Sequence, residues 1–122
     1  MVSIAVCVQA TPEREQLIRW IKQYCQLYGV EHELTAFPLP EDFTDATAYK
    51  KFDLVFMAAG GAEGFLAARQ LRDEDRNVKI ILADDTMDYA VKGVRLHFTD
   101  FIHKPVEFKH VVRAMKLAGL GQ

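Results

Sequence analysis

Cysteine, proline and tryptophan are scarce in this chain of 122 residues, which has two cysteines, four prolines and one tryptophan. Two cysteines cannot build a disulfide framework, and Cys7 and Cys25 are not spaced as a redox or zinc motif. Each lies within an apolar pattern, so we expect two buried, reduced thiols. The sequence also lacks an apolar run of the about 20 residues that a membrane-spanning helix needs.

An excess of charge of one sign is missing as well, since the formal net charge is −2. This balance provides no basic surface for phosphate backbones, so we expect no direct binding of nucleic acid. Met1 leads at once into a strand pattern, without the charged and apolar regions of a signal peptide. We therefore expect a cytoplasmic protein that does not associate with membranes.

What the sequence does contain is a continuous apolar run within residues 51–61, closed by Gly60 and Gly61. Such a run is typical of a strand that is buried on both faces of a parallel sheet. In open parallel sheets, functional residues follow the carboxyl ends of the strands. Ala58 and Ala59 occupy that place here, and neither side chain can carry chemistry.

Strand and helix patterns alternate along the whole chain. Strands are predicted at 2–8, 31–37 near the sheet edge, 51–57, 78–83 and 98–103, and helices at 11–28, 43–49, 62–75, 87–94 and 107–117. Thr11 is the predicted N-cap of the first helix, and Gly29 is placed to end it in the left-handed conformation. Five strands alternating with five helices predict a single α/β domain over 1–122, a three-layer, doubly wound parallel sheet with helices on both faces.

In this order, several short motifs resemble a response-regulator receiver domain, closest to receivers that precede a LytTR-type DNA-binding domain. The motifs are Ile4-Ala5-Val6-Cys7, Phe52-Asp53-Leu54-Val55-Phe56-Met57, Lys79-Ile80-Ile81-Leu82, Tyr89-Ala90, Gly93, Asp100-Phe101 and Lys104-Pro105-Val106. The resemblance covers nearly the whole chain. It implies the flavodoxin-like (βα)5 fold with strand order 2-1-3-4-5.

The resemblance also implies that the phosphorylation pocket is degenerate. The acidic pair that holds Mg²⁺ in the family falls on Val8 and Gln9, the phosphoacceptor aspartate on Ala58, and the hydroxyl residue on Asp84. Only Lys104 fits the family pattern. The implied protein is not an enzyme, holds no metal or cofactor, and signals without phosphorylation.

Two further expectations concern the same pocket. We hypothesise an ion pair between Asp84 and Lys104, because an unpaired ammonium in a partly desolvated cleft is costly. Phe101 matches the family's switch aromatic and is either permanently inward or an ordinary core residue. The Lys104–Pro105 peptide resembles a junction that is usually cis in the family.

The resemblance further implies a face for a protein partner or a homodimer, on the fourth helix, fifth strand and fifth helix. Its candidate residues are Tyr89, Val91, Arg95, Phe98, Lys109 and Arg113. Such a module is expected to be the regulatory part of a transcription regulator or a stand-alone adaptor.

The alternative is a flavodoxin-like enzyme domain that binds a small ligand or an anion, with Gly60–Gly61 as an anion site or Cys7 as a nucleophile. The segment 8–14 weakens this alternative, because it has neither a glycine for an anion-binding loop nor a hydroxyl-rich phosphate loop. His97, His103 and His110 are not at metal-ligand spacing with a carboxylate. For His103, at a strand end, we expect a bond to the backbone.

Overall fold

A computed structural model describes residues 1–121 and shows one five-stranded parallel sheet. The strands are β1 Val2–Cys7, β2 His32–Phe37, β3 Leu54–Met57, β4 Lys79–Asp84 and β5 Asp100–His103. Their order in the sheet is β2-β1-β3-β4-β5. The predicted fold class, the strand order and the edge position of β2 are therefore confirmed.

Five helices connect and cover the strands. They are α1 Thr11–Leu27, α2 Pro40–Thr47, α3 Gly61–Glu74, α4 Ala90–Arg95 and α5 Phe108–Leu117. Two separate clusters of buried side chains join α1 and α5 to one face of the sheet and α2 and α3 to the other. Helices thus cover both faces, as right-handed crossovers between parallel strands require. No helix within residues 1–121 is long and apolar enough to span a membrane.

The central strand β3 shows why the apolar run is continuous. Leu54 and Phe56 point into the α1 and α5 cluster, whereas Val55 and Met57 point into the α2 and α3 cluster. Because successive side chains of a strand alternate between faces, a strand that is covered on both sides must be apolar at every position. All four residues of β3 are accordingly buried.

The structure corrects several predicted boundaries. Thr11 is not an N-cap but the first residue of α1, which begins after Ala10 without a side-chain cap. The Thr11 hydroxyl instead accepts a hydrogen bond from Arg14. Gly29 has the predicted left-handed conformation, with a φ of 65°. The strands β3 and β5 are shorter than predicted, since β3 begins at Leu54 and β5 at Asp100.

Candidate functional site

The carboxyl edge of the sheet brings together four of the five residues that the resemblance assigns to a phosphorylation pocket. Val8 and Ala58 directly follow β1 and β3, Asp84 ends β4, and Lys104 follows β5. The Ala58 N–H donates to the Cys7 carbonyl oxygen at 2.9 Å, and the Lys104 N–H donates to the Asp84 carbonyl oxygen at 2.8 Å. Val8, Ala58 and Asp84 are buried, whereas Gln9, the fifth residue, is exposed.

The Lys104 ammonium group is held by two oxygens of the chain itself. Its Nζ lies 2.8 Å from Glu13 Oε1 and donates to the Ala58 carbonyl oxygen at 2.7 Å. Its side chain is only 12% exposed. The predicted ion pair with Asp84 is therefore wrong: the cation pairs with the carboxylate that the first turn of α1 brings over the end of the sheet.

Asp84 is satisfied by backbone donors instead of by a cation. Its carboxylate accepts the N–H of Asp85 at 2.7 Å and the N–H of Gly61 at 3.1 and 3.2 Å to its two oxygens. Gly61 is the first residue of α3, so the carboxylate lies at the positive end of that helix dipole. Hydrogen bonds from N–H groups to an ionised carboxylate are stronger than neutral ones, which removes the need for a nearby cation.

Glycine at position 60 allows this arrangement. Gly60 has a φ of 80°, in the region that disfavours side chains, and a Cβ there would lie 3.4 Å from Asp84 Oδ1 and 4.0 Å from Lys104 Nζ. The glycine pair thus makes a close turn over the two charged groups.

Arg14 closes the end of β1. Its Nη1 donates to the carbonyl oxygens of Val8 at 2.8 Å and Gln9 at 3.0 Å. Sequence reasoning missed the roles of Glu13 and Arg14 at this site. The available signal was their place in the first turn of α1, because a helix that follows a parallel strand begins at the carboxyl edge of the sheet.

Solved structures similar to this chain are receiver domains. The response regulatory domain of protein mrkE from Klebsiella pneumoniae superposes with a TM-score of 0.82 at 17% identity, over 97% of this chain and 96% of that one. The HemR receiver domain from Leptospira biflexa superposes with a TM-score of 0.81 at 16% identity, over 100% of this chain and 98% of that one. Response regulator TrrA from Thermotoga maritima, in complex with Mg²⁺ and BeF, superposes with a TM-score of 0.78 at 19% identity, over 97% of this chain and 99% of that one.

This chain has the receiver fold. No protein-family model matches its sequence, and no curated protein is significantly similar to it. At these identities, the likeness to the solved receivers is one of architecture.

Three further features lie in or directly after β5, near the same edge of the sheet. Phe101 is half-buried and packs against the α2 and α3 cluster. The Lys104–Pro105 peptide is cis. His103 Nε2 lies 2.7 Å from the Asp85 carbonyl oxygen, which confirms the expected bond to the backbone.

The candidate partner face divides into packed and exposed residues. Tyr89 stacks on Phe65 with ring centroids 4.7 Å apart, and Phe98 lies 6.3 Å from the same ring, so both are partly buried against the α2 and α3 cluster. Val91, by contrast, is 65% exposed. The basic candidates Arg95, Lys109 and Arg113 are also exposed, although Arg113 pairs with Asp100 of its own chain at 2.9 Å.

The alternative sites have no free reactive group. Cys7 is fully buried, and burial together with the charge of Asp42 raises the pKa of its thiol to about 12. Burial likewise raises the pKa of the Cys25 thiol. The Gly61 N–H is already bonded to Asp84. Within residues 1–121, no group of three or more His, Cys, Asp or Glu side chains is arranged to hold a metal ion.

We predict a coupling energy of about 1 kcal/mol between Glu13 and Lys104, because one partner of this short ion pair is largely shielded from water. The measurement is a double-mutant cycle of Glu13→Gln and Lys104→Met in urea unfolding. Glu107 and Lys109, an exposed pair at 3.8 Å, are the matched control and should show almost none. A larger coupling for Asp84→Asn with Lys104→Met would contradict the assignment.

We also predict that the folded protein does not react with a disulfide reagent such as DTNB at pH 8, since only the thiolate attacks. Both thiols should react on unfolding, whereas a Gln23→Cys variant, exposed on α1, should react at once.

The folded state keeps the Cys7 proton to about pH 12, whereas the unfolded chain releases it near 9.0. Stability from this group is therefore complete below pH 9 and falls as the pH rises through that window. Rapid native labelling of Cys7 would revive the cysteine-nucleophile alternative.

Proposed function

We propose that the protein is an atypical response-regulator receiver domain that signals without phosphorylation. The observation that carries this proposal is that the chain itself satisfies the charged groups of the pocket. Glu13 neutralises Lys104, the Ala58 carbonyl oxygen accepts a hydrogen bond from it, and the Asp84 carboxylate accepts the N–H groups of Gly61 and Asp85. An incoming phosphoryl group would meet the fixed negative charge of Asp84 where it needs hydrogen-bond donors.

The residue types at the other positions support the same reading. The methyl group of Ala58 cannot form an acyl phosphate, and its carbonyl oxygen is already used by Lys104. Mg²⁺ is a hard cation that prefers carboxylate oxygens, which Val8 and Gln9 do not offer. Their carbonyl oxygens are bonded to the guanidinium of Arg14, so a cation already lies there.

In this proposal the domain is an interaction module and not an enzyme. Permanent internal contacts replace the contacts that phosphorylation switches in an ordinary receiver, so the domain presents one fixed surface. The partner face on α4, β5 and α5 carries the exposed apolar residue Val91 beside Arg95, with Lys109 on the neighbouring helix. We assign to it a protein partner or a second copy of the chain, in the regulatory part of a cytoplasmic transcription regulator of the LytTR type.

Incubation with acetyl phosphate and Mg²⁺ should leave the intact mass unchanged, because Ala58 stands at the acceptor position and the Asp84 carboxylate is held by backbone N–H groups. A variant with Val8→Asp, Gln9→Asp, Ala58→Asp and Asp84→Ser is the positive control and should gain one phosphoryl mass. Formation of a stable aspartyl phosphate on the natural sequence would overturn the proposal.

The partner face has a separate test. Light scattering at high protein concentration should show a mass above that of the monomer, and Val91→Asp should return it to the monomer by placing a charge in an apolar contact. Tyr49→Asp is the matched control, since Tyr49 is 84% exposed and lies after α2. A strictly monomeric mass at every concentration would exclude the homodimer and leave only a different protein as the partner.

A further inference from the structure

A second cavity lies beside the closed pocket, on the α1 side of the sheet edge. It has a volume of about 330 Å³ and is lined by α1 and by the segments that follow β4 and β5. Pockets of this size, at the carboxyl edge of an α/β sheet, are typical places for small ligands. The Glu13–Lys104 ion pair of the closed pocket forms part of its lining.

Half of the residues that line the cavity are apolar, and they include the only tryptophan of the sequence. Leu17 and Trp20 line it from α1, and Pro105 and Val106 line it from the segment after β5. Trp20 is half-buried and packs against the α1 and α5 cluster, so its ring is held by the core. A fixed indole is the aromatic side chain that attracts cations most strongly.

The charges in the lining are negative on balance. Glu13 and Lys104 neutralise each other across 2.8 Å. Asp85 is exposed, and within residues 1–121 its carboxylate makes neither an ion pair nor a hydrogen bond, since only its backbone groups bond to Asp84 and His103. His103, whose ring bonds to the Asp85 carbonyl oxygen, is the neighbouring titratable group. Asp85 is thus the lining charge left for a ligand.

We propose that this cavity binds a small organic cation, a guanidinium or ammonium group on a short apolar stem. The cation would contact the ring of Trp20 and form a charge-assisted hydrogen bond with Asp85, while the stem packs between Leu17 and Val106. The Gln16 side chain, also in the lining, offers a further polar partner. An anion is disfavoured because the Lys104 ammonium is already neutralised.

The fluorescence of Trp20 reports on the site directly, because no other tryptophan contributes. Titration with arginine amide should give a saturable change in emission. Citrulline amide keeps nearly the same shape and the same α-amino group but has an uncharged urea in place of the guanidinium. It should bind about tenfold more weakly, since its side chain loses both the cation–π contact and the charge-assisted bond.

Variants locate the binding. Asp85→Asn should lower the affinity for arginine amide about fivefold or more. Asp88 is an exposed acid outside the lining, so Asp88→Asn should leave this affinity unchanged. Trp20→Leu should also lower this affinity. Calorimetry measures it in this variant, once circular dichroism has verified that the variant is folded. No saturable signal, equal binding of citrulline amide, or full affinity in Asp85→Asn would each overturn the proposal.

A blocked Ala-Arg-Ala peptide distinguishes two sources of the same chemistry. Binding as tight as that of arginine amide would show that the site accepts an arginine side chain presented by a protein. Binding of arginine amide alone would assign the site to a free small molecule. Either outcome supports a cation site, and neither depends on whether the domain accepts phosphate.

Discussion

The Lys104 ammonium group is the charge around which the carboxyl edge of the sheet is arranged. A largely buried cation must be compensated, because removing it from water without a partner costs several kcal/mol. Here the compensation comes from the end of β3, through the Ala58 carbonyl oxygen, and from the first turn of α1, through Glu13. One side chain therefore ties β3, β5 and α1 together.

The second carboxylate of the edge, that of Asp84, bonds to backbone N–H groups because it lies beside the start of a helix. Asp84 ends β4 beside the start of α3, where Gly60 and Gly61 both have positive φ and turn a backbone N–H toward it. It can therefore stabilise the positive end of the helix, and Lys104 pairs with Glu13 instead. The two carboxylates satisfy the backbone donors and the cation of the edge without any ligand, and this saturation underlies the proposal of a permanently fixed receiver.

Residue patterns predicted the alternation of elements and the double burial of β3, because those depend on local periodicity. The strand order came from the resemblance, since periodicity does not say which strands are neighbours. The partner of Lys104 could not be predicted in the same way. Glu13 is a typical acidic residue of a first helical turn, and only the tertiary position of α1 brings it to the ammonium group. Thr11 failed as an N-cap for a similar reason, because Arg14 engages its hydroxyl.

In the proposed receiver, whose pocket is filled by its own side chains, a partner or ligand would have to bind at surfaces outside that pocket. Two such surfaces border the segment that joins β5 to α5. Pro105 and Val106 line the tryptophan cavity on one side, and α5 begins directly afterwards at Phe108 and carries Lys109 and Arg113 of the proposed partner face. Glu13 contributes both to the cavity lining and to the ion pair with Lys104. A cation bound in the cavity would therefore lie beside the ion pair that holds the edge closed, near the point where the chain enters α5.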